Sequence, residues 1–223
     1  MSNKIFKKRG EIHTIMKKLI CLIIIFSTLI ANAQKEHVGI KAGVNFANLT
    51  ANEGSTGSTL RTRTSFYVGV LFEIPLSEKL FLQPELLYSG QGAQFDGTIY
   101  NNNKPVAVSQ NKFYLHYINI PVMLKYKINR FTFIEIGPQI NLLGSAELEV
   151  TANGQSGIAT ASKLFNKTDF GLNFGIGIAI SKTLAVDVRY SQGLTNIEKE
   201  TDSNNKNTLI NSVISAGIVI KIQ

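Results

Sequence analysis

From Val38 to the C-terminus, most apolar residues of each segment fall on even-numbered positions. Ile40, Ala42, Val44 and Phe46 open the pattern, and Ile214, Ala216, Ile218, Ile220 and Ile222 close it. Odd positions in the same segments hold Lys41, Asn45, Glu73, Glu85, Asn119, Lys125, Glu135, Gln139, Asp169, Asn173, Asp187, Arg189 and Lys221. A strand turns successive side chains to opposite faces, so a period of two gives each strand one oily and one polar face. The pattern predicts strands at 38–48, 65–75, 80–91, 113–127, 131–143, 168–180, 184–192 and 209–222. Most reach the roughly 9–11 tilted residues that cross a bilayer.

The predicted connections alternate in length. Pro75–Lys79, Ile128–Arg130 and Ser181–Thr183 are tight turns. Residues 49–64, 92–112, 144–167 and 193–208 are long, polar and poor in large apolar residues, and they read as irregular loops. Short turns on one side and long loops on the other is the outer-membrane arrangement, with alternating strands facing lipid outside and polar groups inside. The fold predicted is an eight-stranded antiparallel up-and-down transmembrane β-barrel. An even strand count puts both termini of the mature chain on the short-turn, periplasmic side.

Outward positions fit lipid contact. Tyr114, Ile118, Ile120, Val122, Leu124 and Tyr126 share one face, apolar centrally and aromatic at both ends. Phe66, Phe72, Tyr88, Phe170, Phe174 and Tyr190 extend such interfacial girdles. Pro84, Pro121 and Pro138 fall inside strands, where each removes a ladder bond, and they predict bulges or irregular register.

The N-terminus supplies an address. Lys17 and Lys18 precede the apolar stretch Leu19–Phe26, which continues to Ile30, and Ala31-Asn32-Ala33 follows. Small residues at Ala31 and Ala33 predict signal-peptidase cleavage before Gln34. The run is shorter than the roughly 20 residues of a spanning helix. Residues 1–33 are therefore expected to be a cleaved signal peptide and 34–223 the barrel domain. Met16-Lys17-Lys18 also reads as a natural start.

Removing the signal changes the charge argument. The whole chain carries +8, but residues 34–223 keep 17 basic and 14 acidic residues, a net +3. No Lys/Arg cluster remains to support nucleic-acid binding. The one cysteine, Cys21, lies in the signal, so the mature protein has no disulfide and no cysteine-based metal site. No cofactor motif appears: Gly175-Ile176-Gly177 sits inside an alternating strand and leads into no helix.

Inward charges are expected to compensate one another, because unpaired charge in a confined lumen is costly. Lys41, Lys125, Arg189 and Lys221 face Glu73, Glu85, Glu135, Asp169 and Asp187 as a predicted polar network. Small inward residues such as Gly43, Gly175 and Gly177 leave room for long ones opposite. The result predicted is a plug of ion pairs and hydrogen bonds rather than a wide pore.

Several motifs carry a family resemblance. Gly39-Ile40-Lys41-Ala42-Gly43-Val44-Asn45, Leu82-Gln83-Pro84-Glu85-Leu86-Leu87-Tyr88, Tyr117-Ile118-Asn119-Ile120-Pro121-Val122 and Gly137-Pro138 resemble the PorT-like outer-membrane β-barrel family of Gram-negative bacteria. Val186-Asp187-Val188-Arg189-Tyr190 with Gly193-Leu194 also fits, so the resemblance spans about residues 34–223. It implies an eight-stranded barrel akin to small OmpA-like barrels, with outer-membrane lipid and the outer-membrane assembly machinery as partners. The family's namesake serves a secretion and gliding system. The chain ends in Ile222-Gln223 rather than the terminal Phe common in such barrels.

An enzyme is not expected. Barrel hydrolases need a nucleophile, a base and an orienting group within hydrogen-bond reach. Of three histidines, His13 lies in the signal, His37 at the mature N-terminus and His116 on an outward face beside Tyr114. Three roles remain open: a structural or partner-binding barrel acting through its loops, a narrow porin-like channel for small solutes, and an accessory part of a secretion apparatus. An extracellular or secretion-system protein is the expected partner in the first and third.

Overall fold

A computed structural model describes residues 37–51, 60–101, 104–152, 154–199 and 208–222. The predicted cleavage site at Ala31, Ala33 and Gln34 lies outside the described residues, as do Asn102 and Asn103. Among those described, the strands are β1 (His37–Ala51), β2 (Arg61–Pro75), β3 (Leu80–Gln91), β4 (Ala93–Asn101), β5 (Lys104–Lys127), β6 (Thr132–Ala152), β7 (Gln155–Thr160), β8 (Thr168–Ala179), β9 (Leu184–Gly193) and β10 (Leu209–Ile222). A 3-10 turn, Ser162–Leu164, separates β7 from β8.

All pairings are antiparallel, and the sheet closes on itself. β1 pairs with β2 and β10, and the ring runs on through β3, β5, β6, β8 and β9. β4 continues the line of β3 past Gly92, and β7 pairs with β6 alone. Eight staves therefore form the predicted up-and-down barrel.

Parity explains the closure. Partners keep the same parity across the seams: Val38 opposes Ile222, Val68 opposes Tyr88, Leu82 opposes Leu124, and Ile136 opposes Phe174. A slip of one residue would swap every inward and outward side chain, so the pattern itself fixes the register. The even face is exposed, as at Phe66, Val122, Phe174, Ile176 and Ile218. The odd face is buried and polar, as at Lys41, Glu73, Gln83, Asn173 and Arg189. A continuous exposed apolar belt of this extent has only lipid as a sensible surrounding.

The three prolines do not shift the ladder. Pro84 opposes Val122 and Leu87 opposes Asn119 in one register, and Pro121–Gln139 and Leu124–Ile136 share another. Pro138 opposes Leu172 inside an unbroken run. Each proline drops a donor without adding a residue to its strand, so the expected bulges are absent at these points.

At one end, three turns share a design. Ser77 Oγ accepts the Leu80 amide, Asn129 Oδ1 accepts those of Phe131 and Thr132, and Ser181 Oγ accepts those of Thr183 and Leu184. A side-chain oxygen thus satisfies the turn's free donors. This turn end also holds His37 and Ile222.

The opposite, hairpin end departs from expectation. Within 92–112 and 144–167, read as irregular loops, residues 93–101, 104–112, 144–152 and 155–160 instead prolong the wall as β4–β5 and β6–β7. The β4–β5 extension keeps the register of β3 on β5 across Gly92, whereas the β6 extension begins at a break in parity. Gly92 takes φ +128, where a Cβ would meet the Phe113 carbonyl oxygen at 2.0 Å. The β5–β6 register shifts between His116 and Tyr117, so Ala146 and Leu148, even residues, now face inward. Alternation does continue beyond these points, but in the opposite phase on β6.

Candidate functional site: the lumen and its cap

The lumen is built from odd residues of every stave. Arg189 on β9 donates from Nη1 and Nη2 to the two Glu85 oxygens on β3, at 2.9 and 2.8 Å. Its Nε and Nη2 also reach Glu135 Oε1 on β6 at 2.9 and 2.5 Å. The planar guanidinium is suited to this paired geometry. Lys41 on β1 donates to Asp187 and stands 3.8 Å from Glu135 and 4.0 Å from Glu85.

A second group lies toward the turn end. Glu73 accepts from Lys125 Nζ and Lys221 Nζ, each at 2.6 Å. Gln83 joins the two groups: its Oε1 accepts from Lys125 at 3.3 Å, and its Nε2 donates to Glu85 at 2.6 Å. Eight of the nine charged residues nominated from the sequence therefore belong to one network. Four cations face four carboxylates in it, so it is neutral when all are ionised.

Asp169 is the exception. It is 1% exposed and sits among amides, accepting from Asn141 Nδ2 at 2.5 Å. Gln139 donates to Asn141 at 2.5 Å and accepts from Asn173 at 2.9 Å, and Ser191 donates to Asn173. Across the lumen, Asn45 donates to Ser89 Oγ and to the Gly90 carbonyl, both at 2.9 Å, and Asn211 donates to Gln91. Gln83, Gln91, Asn141 and Asn211 were not singled out as network members from sequence, although odd parity within the predicted strands marks all four as inward.

Glycines make the packing possible. A Cβ on Gly175 would lie 2.6 Å from Glu135 Cγ, and one on Gly217 would lie 1.9 Å from the Tyr67 hydroxyl. The space left over is small. Lumen cavities of about 20 and 10 Å³ each hold roughly one water. The larger concavities, about 660 and 320 Å³, lie against the outer apolar wall beside Ile176 and Ile134.

The hairpin end is closed by an apolar cluster. Leu49, Ala93, Leu115, Tyr117, Ala146, Ala161, Phe165 and Ile197 are buried together, with Leu60, Phe113, Leu148 and Leu209 packed against them. Phe113 meets Phe165 edge-on at 5.4 Å between centroids. Backbone bonds fasten the two covering segments: Asn166 N donates to Ile197 O at 2.8 Å, and Lys199 N to Leu164 O at 2.8 Å. Phe165 and Ile197 were missed from sequence, because neither lies in an alternating segment. On the outer face at this level, His116 Nδ1 lies 2.7 Å from the Tyr88 hydroxyl, so its partner is Tyr88 rather than Tyr114.

A model described as the outer membrane protein beta-barrel domain matches residues 32–199. The chain belongs to that family. This outer-membrane barrel is similar to Neisserial surface protein A, at 12% identity and a TM-score of 0.49 over 85% of this chain and 100% of that one. It is also similar to Ail, the attachment invasion locus protein of Yersinia pestis (10%, TM-score 0.43, 85% and 100%). OprG from Pseudomonas aeruginosa compares at 11% and 0.39, over 84% and 96%. No curated protein matches it.

Proposed function

We propose that this barrel acts through the sheet and loops of its hairpin end, in a structural or partner-binding role, and not as a conduit. The occupied lumen carries this reading. A connected ion-pair network fills the barrel, its voids are one water in size, and an apolar cluster covers one end. About eight strands leave an interior just wide enough for side chains. A channel would have to break buried charge pairs to open, and each such break is costly.

The same reading places the short turns and both termini of the mature chain in the periplasm and the hairpin end outside, following removal of residues 1–33 after Ala33. Folding would go through the outer-membrane assembly machinery. The PorT-like motifs support a place in that branch, and with it the accessory secretion role as the second reading. Planar-bilayer recording of the purified protein tests the first. The expected record has no stable conductance steps, and large stable steps would establish a channel instead. A tag inserted at Asn102 should be reachable on intact cells and one at Ser181 should not. The reverse labelling would overturn the orientation.

A further inference from the structure

The prolonged strands β4, β5, β6 and β7 form a sheet that stands beyond the apolar belt. The belt ends near Ile118, Leu142 and Phe170, and beyond the outward His116 and Tyr114 stand Lys112, Glu147 and Glu149. This sheet has two outer edges, and they differ. The β4 edge is joined to β2 at Gln94–Arg61 and Ala93–Thr62, and Asp96 is held there by Arg61. Charged residues and covering contacts are how edges are kept from pairing with other chains.

β7 has none of this. Among the described residues it pairs only with β6, because β8 pairs with the lower half of β6 and stops at Thr168–Leu142. All six residues, Gln155 to Thr160, are exposed. None is charged and none is proline. Alternate residues of such an edge turn their N–H and C=O groups outward with no strand to receive them.

The side chains beside this edge specify a partner. Thr160 and Ile158 share the outer face with Glu147 and Glu149, their direct cross-strand neighbours. Ile158 is 68% exposed. Glu149 is committed: the Tyr114 hydroxyl donates to it at 2.6 Å and Lys112 stands at 3.6 Å, which together hold its carboxyl below the usual range. Glu147 makes no ion pair among the described residues. The small Thr160 lies between Glu147 and the open edge, so a long cationic side chain on an added strand could cross it. Arg63, the other nearby cation, is engaged with the Tyr114 ring and the Gln91 carbonyl.

We propose that β7 is a strand-addition site for an extended segment of a partner protein, with an apolar side chain set against Ile158 and a Lys or Arg over Thr160 meeting Glu147. Main-chain bonds supply the affinity in this mode and alternate side chains the selectivity. The proposal rests on the reading of the hairpin end as the working surface. It names the site and the chemistry of what binds there.

The test uses the full barrel in nanodiscs and a fluorescein-labelled peptide, Thr-Val-Thr-Lys-Thr-Val-Thr-Lys-Thr. Fluorescence anisotropy should show saturable binding, with amides of 155–160 newly protected from hydrogen exchange and the membrane strands unchanged. Ile158→Lys, which guards the edge, should weaken binding about tenfold or more, and Glu147→Gln should weaken it several-fold. A peptide N-methylated at alternate residues should not bind. Neither substitution touches the buried network, so the folded barrel should be retained, and bilayer recording on the same sample reports the closed-lumen reading separately. No binding at about 1 mM peptide, or binding indifferent to N-methylation and to Ile158→Lys, overturns the proposal. So does a dimer that Ile158→Lys dissociates while the peptide leaves β7 unprotected, since the occupant would then be a second copy.

Discussion

The barrel has two interiors, and they are chemical opposites. Beside the apolar belt the inside is Lys41, Glu85, Glu135, Asp187 and Arg189, while the outside is Ile, Val and Phe. Beyond the belt the inside is Leu115, Phe165 and Ile197, while the outside is Lys112, Glu147 and Glu149. One wall carries both, and β5 and β6 run through the change. The hydrophobic effect explains the reversal, because it acts only where the alternative to burial is water. Beside lipid, apolar side chains gain nothing by turning inward, and the polar ones must satisfy one another in the lumen. Beyond lipid the ordinary rule returns, and the apolar residues of two loops are drawn into a cap.

The polar interior should suffer most when one member is removed. Arg189→Ala leaves Lys41 as the one cation within 4 Å of the buried Glu85, Glu135 and Asp187, and the loss should be about 3–5 kcal/mol. Urea titration of the reconstituted barrel measures it. An effect under about 1 kcal/mol would mean that water already neutralises the lumen.

The lipid face should come next. Val122→Arg should cost about 2–4 kcal/mol if the position is near the bilayer midplane. Asn119→Gln, three residues earlier on the inward face, should cost much less. Equal losses in the same titration would contradict the division of faces.

A matched pair of small changes sharpens the comparison. Ile197→Val in the cap should destabilise by about 0.5–1.5 kcal/mol, as for an ordinary core. Ile176→Val on the lipid face should change stability far less, because lipid tails are as apolar as the protein. The smallest effect expected is for Asp96→Asn. Its pair with Arg61 is half exposed on both sides, which limits the contribution to about 0–1 kcal/mol.

The belt was legible in the sequence because one rule, alternation, holds from Val38 to Ile222 on every stave. It gave the strand faces and the inward charges at once. The ion pairs themselves were not legible. Arg189 meets Glu85 across 104 residues, and which charges share a level depends on the stagger of the closed sheet. The hairpin end was hidden for a different reason. The shift opposite His116 breaks the phase, so Glu147-Leu148-Glu149-Val150 no longer obeys the even rule. Phe165 and Ile197 belong to no periodic segment, and only the three-dimensional arrangement of the loops shows that they are core.

The reversal itself is the central claim, and site-directed spin labelling along β5 tests it most directly. Single labels at 110, 112, 113, 115, 118, 119, 120 and 122, on a Cys21→Ser background, would be compared for collision with oxygen and with a water-soluble nickel chelate. Positions 118, 120 and 122 should respond to oxygen alone, 110 and 112 to the nickel chelate, and 113, 115 and 119 weakly to both. If 119 responded to the chelate as strongly as 112 does, the lumen would be an open aqueous channel. The account of a closed, polar-filled barrel would then be wrong.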